Sequence, residues 1–182
     1  MEFWDIYDEN KKPTGRTMKR NDWCLKDGEY HLTVLGVVGR PDGTFLITKR
    51  VMTKAWAPGW WEVSGGAAQA GEESCEAVLR EVKEETGLTL TSYQFRGLIT
   101  FISDVCEPEL MCLFTADGFT GSLTACNEGE LKWVDKSIVP SLPTWTGDAI
   151  FLKLLLEDEQ RFFTLRLVYE GDELVEHRLE FY

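Results

Sequence analysis

The stretch GGAAQAGEESCEAVLREVKEETGL, Gly65 to Leu88, carries glutamates at positions 72, 73, 76, 81, 84 and 85. Like charges three and four residues apart on a helix repel by roughly 0.2–0.5 kcal/mol a pair. A chain whose formal net charge is already −12 either leaves this face in water or sets a cation on it. A bare charge run is more often a solvated face, but Glu81, Glu84 and Glu85 stand at i, i+3 and i+4 and can project to one side of a helix, where they could grip a cation. Oxygen-only donors suit Mg²⁺ or Mn²⁺, hard ions that carboxylates and a substrate phosphate often hold together. Gly65 and Gly66 let the backbone come close, so that a main-chain carbonyl can add a donor. Arg80 can orient a neighbouring carboxylate through its planar fork.

These residues need a rigid mount. From about Glu73 to Thr86 the pattern predicts a helix, with Val78, Val82, Leu79 and Cys75 as its apolar stripe, acids in its first turn and Gly87 as its stop. Upstream, FWDIYDENKKPTGRTMKRND reads as a strand, a turn around Asn10 to Gly15 and a basic segment. YHLTVLGVVGRPDGTFLITKR reads as two β-rich runs joined in a hairpin at Pro41-Asp42-Gly43. KAWAPGWWEVSGG delivers the chain to the glycines. Downstream come strands at YQFRGLITFI, ELMCLFTADGF and LKWVD, a helix at GDAIFLKLLLED, and a closing hairpin over Glu170-Gly171-Asp172. Strands and two helices without regular βαβ spacing predict a mixed sheet sandwiched by helices, in one domain over residues 1–182.

The bulk properties narrow the partners. With 43% hydrophobic and 27% charged residues, the composition is that of a soluble globular protein. The acidic balance argues against a nucleic-acid polymer, whose phosphates call for clustered Lys and Arg. No apolar run spans a bilayer and the N-terminus lacks secretory features, so we expect no membrane partner. Cys24, Cys75, Cys106, Cys112 and Cys126 are scattered and form no CxxC pair. They are expected to be reduced thiols in a cytoplasm, most of them small core residues. Acidic protein and anionic small molecule then require a metal between them. His31, on an apolar strand, is expected to be a satisfied core or edge residue.

Gly66, Glu72, Arg80, Glu81, Val82, Glu84, Glu85, Gly87 and Leu88 match every defining position of the Nudix box, over residues 66–88, and the chain resembles the Nudix hydrolases. The resemblance implies an α/β/α sandwich with a mixed sheet, and hydrolysis of a nucleoside diphosphate linked to another moiety. It makes Glu81, Glu84, Glu85 and the Gly65 carbonyl the metal ligands, with Glu72 and Arg80 bracing the loop, Arg80 being counted with the catalytic set. A metal-held phosphoryl group needs a carboxylate to take the proton of the attacking water. Glu81 is one candidate. Glu128, in ACNEGELKWVD, is the other, since it falls at the acidic loop position of similar enzymes, before the strand bearing Trp133. Arg50, closing FLITKR, is similar to the family's phosphate-contacting arginine.

The second half, through GLITFISDVCEPELM, CNEGELKWVD, PTWTGDAIFLKLLLED and the C-terminal hairpin, is similar to the 8-oxo-dGTP diphosphatases. There a tryptophan and an aspartate at the head of the last helix receive the purine, and Trp145 and Asp148 match them. The alternative for this pair is packing under the loop and helix capping. Two departures stand out: Gly147 replaces a second aspartate, and Glu62 stands where related enzymes have a base-reading asparagine. A glutamate there is commoner in Nudix enzymes acting on other diphosphates. The opening FWDIYDENKKPTGRT is similar to Nudix proteins related to isopentenyl-diphosphate isomerase, but EVSGGAA lacks that enzyme's cysteine and histidine. The expectation is a Mg²⁺-dependent hydrolase, monomer or homodimer, releasing monophosphate and pyrophosphate from a purine nucleoside triphosphate. The alternatives are a nucleotide-sugar, dinucleotide or prenyl diphosphate as substrate, or a non-catalytic nucleotide-binding regulator.

Overall fold

The computed structural model describes residues 2–54, 57–127, 129–157 and 159–182. The chain runs β1 (Phe3–Tyr7), β2 (Pro13–Lys19), β3 (Tyr30–Val38), β4 (Thr44–Arg50), β5 (Trp61–Glu62), β6 (Ser64–Ala67), α1 (Ser74–Thr86), β7 (Thr89–Ser103), β8 (Glu109–Thr120), β9 (Gly129–Asp135), α2 (Thr146–Leu156), β10 (Phe163–Glu170) and β11 (Glu173–Phe181). An eight-stranded sheet has the order β11-β10-β7-β8-β3-β1-β2, with β6 also paired to β3, and a three-stranded sheet has the order β5-β4-β9. The pairs β3–β8 and β7–β10 are parallel and the rest antiparallel. The expected mixed sheet between helices is the fold.

The alternation of β3 makes two cores. Val34 and Val38 join Val78 and Val82 of α1, while Val37 joins Phe151 and Leu155 of α2 on the opposite side. Val78 and Val82 are fully buried, and each such burial contributes roughly 1.5–3 kcal/mol, enough to fix which side of α1 faces away from the sheet. The Glu73 N–H donates to the Glu76 carboxylate at 3.0 Å, and Gly87, with φ of 82°, ends the helix. Cys75, assigned to the apolar stripe, is exposed, and of the five cysteines only Cys112 is buried. Cys75 lies in the first turn of α1, ahead of the residues the helix buries, Ala77, Val78, Val82 and Thr86.

The hairpin expected over Pro41-Asp42-Gly43 forms as a turn but not as a paired ribbon. Arg40 N–H bonds the Thr44 carbonyl at 3.0 Å and Gly39 bridges Phe45. There β3 and β4 part company. Both edges of β3 are occupied, by β8 on one side and by β1 and β6 on the other, so β4 pairs with β9 and β5 instead. The basic N-terminal segment pairs as β2 with β1. Among the described residues no helix is long and apolar enough to cross a membrane.

Candidate active site

Strand β6, helix α1, the end of β4 and the floor of the large sheet surround a cavity of ≈ 680 Å³. Arg50, Glu62, Gly65, Arg80 and Glu81 line it, as do Glu84, Glu85, Trp145 and Asp148. Glu128 lies outside the described residues.

At one end β6 is wedged between β3 and α1. A Cβ at Gly66 would lie 2.5 Å from the Glu81 carboxyl carbon, and one at Gly65 would lie 2.2 Å from the Val34 carbonyl oxygen; only glycines permit this approach. The Gly65 N–H donates to Glu85 at 3.3 Å. Burial, then the charges of Glu81 and Glu62, push the Glu85 carboxyl up to about 8. Burial also raises Glu81, against the pull of Arg80. Arg80 holds both oxygens of Glu72 at 2.8 Å, Glu81 at 2.6 Å and the Ala67 carbonyl at 3.1 Å. It thereby ties the start of α1 to the preceding loop, and the same guanidinium holds Glu72 below the usual carboxylate range. Glu84 reaches Arg80 at 3.5 Å with its side chain 63% exposed.

Among the described residues no three His, Cys, Asp or Glu side chains close into a metal cage. The donor set still fits a hard divalent ion. It is made of oxygens only, two of its carboxyls are raised by burial and mutual repulsion, and such ions commonly take one or two carboxylates plus substrate phosphate rather than a full protein cage. Beside it, Arg50 and Glu62, assigned separately to substrate, pair with each other at 2.7 Å, both half-buried.

At the other end Trp145 precedes the first turn of α2, its ring centroid 4.8 Å from that of Trp60 and 5.8 Å from that of Tyr169. Asp148 is the third residue of α2 and not its N-cap, a position held by Trp145. Burial, followed by the charges of Glu62 and Glu109, lifts the Asp148 carboxyl to about 7. The absence of a side chain at 147 has a steric reason: a Cβ there would stand 2.5 Å from Leu167 Cδ1 and 2.8 Å from Tyr169 Oη.

Residues 29–155 match the NUDIX domain. The chain belongs to the Nudix family. The oxidized purine nucleoside triphosphate hydrolase of Danio rerio is 31% identical over 151 residues, covering 82% of this chain and 94% of that protein. The isopentenyl-diphosphate Delta-isomerase of Kocuria rhizophila is 29% identical over 160 residues, covering 80% and 88%. The crystal structure of the mutator MutT protein from Bacillus halodurans superposes with a TM-score of 0.73 at 29% identity, covering 82% of this chain and 97% of that one. The chain is a Nudix pyrophosphohydrolase, and enzymes of this family generally use divalent metal ions.

The Nudix match begins at residue 29, so the β1–β2 hairpin lies outside it, yet Glu2, Trp4 and Arg20 line the same cavity. So do His31, Thr33, Trp60, Glu109 and Tyr169, which sequence reasoning missed. His31 is buried as expected but not satisfied: among the described residues its Nδ1 has no hydrogen-bond partner. Alternation along HLTVL and EPELM puts His31 with Thr33, and Glu109 with Met111, on one face each. What no local pattern shows is that β3 and β8 lie side by side.

Proposed function

We propose that this enzyme is a Mg²⁺-dependent hydrolase of purine nucleoside triphosphates, oxidised forms included, releasing nucleoside monophosphate and pyrophosphate. One observation carries the reading. A single cavity of ≈ 680 Å³ joins the acidic face of α1 to the aromatic group Trp60, Trp145 and Tyr169 with Asp148 beside it, and a volume of this size suits a small organic ligand. The relationship to a named oxidized purine nucleoside triphosphate hydrolase supports it.

In this reading Glu81, Glu84, Glu85 and the Gly65 carbonyl hold Mg²⁺, with Mn²⁺ as a substitute. When bound, the ion neutralises phosphoryl oxygens and lowers the pKa of a bound water. Arg80 holds Glu81 in place through the Glu72 fork, and Glu81 or Glu128 accepts the proton of the attacking water. Arg50 offers its guanidinium to the phosphates, exchanging Glu62 for phosphoryl oxygens. Trp145 stacks on the base and Asp148 hydrogen-bonds its edge. The reduced thiols suit a cytoplasmic setting.

A second reading, a diphosphate bearing another moiety, is favoured by Glu62 and its pairing with Arg50. Isomerase chemistry is disfavoured, because the run Glu62 to Ala68 holds neither Cys nor His. The deciding experiment incubates the enzyme with Mg²⁺ and a panel of canonical and oxidised nucleoside triphosphates, dinucleotides, nucleotide sugars and prenyl diphosphates, with products identified. Preferred release of pyrophosphate from purine triphosphates supports the proposal, and preference for any other class overturns it.

A further inference from the structure

The cavity floor carries a carboxyl that the phosphate chemistry leaves unused. His31 of β3 is the Cα partner of Glu109 of β8, Glu109 of Phe101 of β7, and Phe101 of Leu167 of β10. The four thus form one row across the sheet, and all line the cavity. In this row of otherwise apolar or neutral side chains Glu109 is seated by Thr33, whose hydroxyl donates to its Oε2 at 2.9 Å. Burial lifts its carboxyl to about 7, Thr33 alone favouring the charged form. Next to it the His31 ring, 4% exposed, stacks on Trp4 at 4.4 Å and 14°, and burial lowers the imidazole to about 4, leaving it neutral. The hairpin that brings Trp4 is tied down at the glycine loop. The Phe3 carbonyl accepts from Ala70 N–H at 2.8 Å, and Asp5 accepts from Gly71 N–H at 2.7 Å.

Among the described residues no cation acts on Glu109; a carboxyl desolvated without an ion pair is costly to fold around, and such residues concentrate where a ligand is read. We propose that Glu109, seated by Thr33 and walled by the Trp4–His31 stack, is a specificity-determining residue that hydrogen-bonds the edge of the substrate's base from the side opposite α2. This rests on the nucleotide reading above. The place beside Asp148 where a second carboxyl could stand is closed by Leu167 and Tyr169 packing on Gly147, and Glu109 supplies one from the floor instead. Paired carboxyls able to donate or accept suit a ring edge carrying both N–H and acceptor atoms, and offer nothing to a hydrocarbon chain.

The test measures kcat and KM of the parent, E109Q, E109A and T33V against dGTP, 8-oxo-dGTP, dATP, ATP and dCTP at saturating Mg²⁺. The expected result is a KM rise of roughly tenfold to a hundredfold for the preferred base in E109A, with kcat within about threefold of the parent's on the same scale of hydrogen-bond effects. E109Q reorders the ranking of bases, and T33V moves it the same way by less. A parent ranking that survives E109Q and E109A within twofold, or a loss uniform across all bases, overturns this inference alone. A parent that cleaves none of the nucleotides overturns the nucleotide reading and this inference with it. Should both Glu109 variants lose the parental circular dichroism, T33V decides by the same criterion.

Discussion

At the acidic end of the cavity, Gly65, Gly66, Glu72, Arg80, Glu81, Glu84 and Glu85 come from one short run of chain. At the other end Trp4, His31, Glu109, Trp145 and Tyr169 come from β1, β3, β8, the head of α2 and β10. The first end is a charge device: like charges are packed together, one arginine spans them, and burial holds two of the carboxyls high. The second is a shape device of packed rings, with two carboxyls raised to about 7 and one imidazole held neutral by desolvation. Local chain geometry suffices to build the first. The second exists only once the sheet order is complete, so the two ends should respond differently to substitution.

The largest difference is expected at Glu84. Glu84→Gln keeps size and removes one charge from a side chain that is mostly exposed, so the fold should be unaffected. Turnover should fall by roughly 10²–10³-fold, the scale of removing one preorganised charged group from a transition state. Kinetics under saturating metal with circular dichroism as control measure this, and a parental rate would take Glu84 out of the ligand set. Arg80→Lys comes next, because an ammonium cannot reproduce the fork on Glu72. A loss of about 10–100-fold in activity, typical of groups that orient metal ligands, should accompany a drop of about 1–3 kcal/mol in stability from the unmatched Glu72 carboxylate. Activity lost with full metal affinity and stability would mean that Arg80 touches substrate rather than bracing the loop. At the other end Trp145→Ala should raise KM for purine triphosphates by roughly 5–100-fold, the worth of one stacking platform, while kcat changes less. Equal loss in kcat and KM would erase the distinction between the two ends.

The same contrast explains what the sequence disclosed. Helix α1 could be placed to within a residue, because Val78 and Val82 repeat at helical spacing and Gly87 supplies the left-handed stop. The strands alternate and the closing turns carry Gly and Asp, so most elements were legible. Pairing was not: Pro41-Asp42-Gly43 has the chemistry of a hairpin turn, but whether its strands stay together depends on which edges of β3 are already occupied. Likewise His31 read as an ordinary core histidine. Its Nδ1, without a partner among the described residues, its stacking on Trp4 and its place beside Glu109 all follow from how distant segments pack. Asp148 and Trp145 were reached only through resemblance, since a tryptophan followed by an aspartate at a helix start reads equally well as packing and capping.

The smallest predicted effect is also the most diagnostic of the second end, and it is one of stability. The Asp148 carboxyl is raised from 3.8 to about 7 by burial and by Glu62 and Glu109. Below about pH 4 both folded and unfolded chains hold this proton, and the group adds no pH dependence. Between about 4 and 7 the unfolded chain gives it up while the native protein retains it, so the unfolded state binds fewer protons and stability falls as pH rises. Above about 7 the difference is constant. Asp148→Asn removes the ionisation in both states, so the melting temperature of the variant relative to the parent should be level near pH 4. It should climb through pH 5–7 and hold steady above. With Asp148 only partly buried by its surface, the plateau is expected at about 1 kcal/mol, or about 2–4 °C for a chain of this size. A difference that stays flat from pH 4 to 8 would show Asp148 to be an ordinary solvated carboxylate, and the far end of the cavity would then lose its character as a desolvated reader of neutral edges.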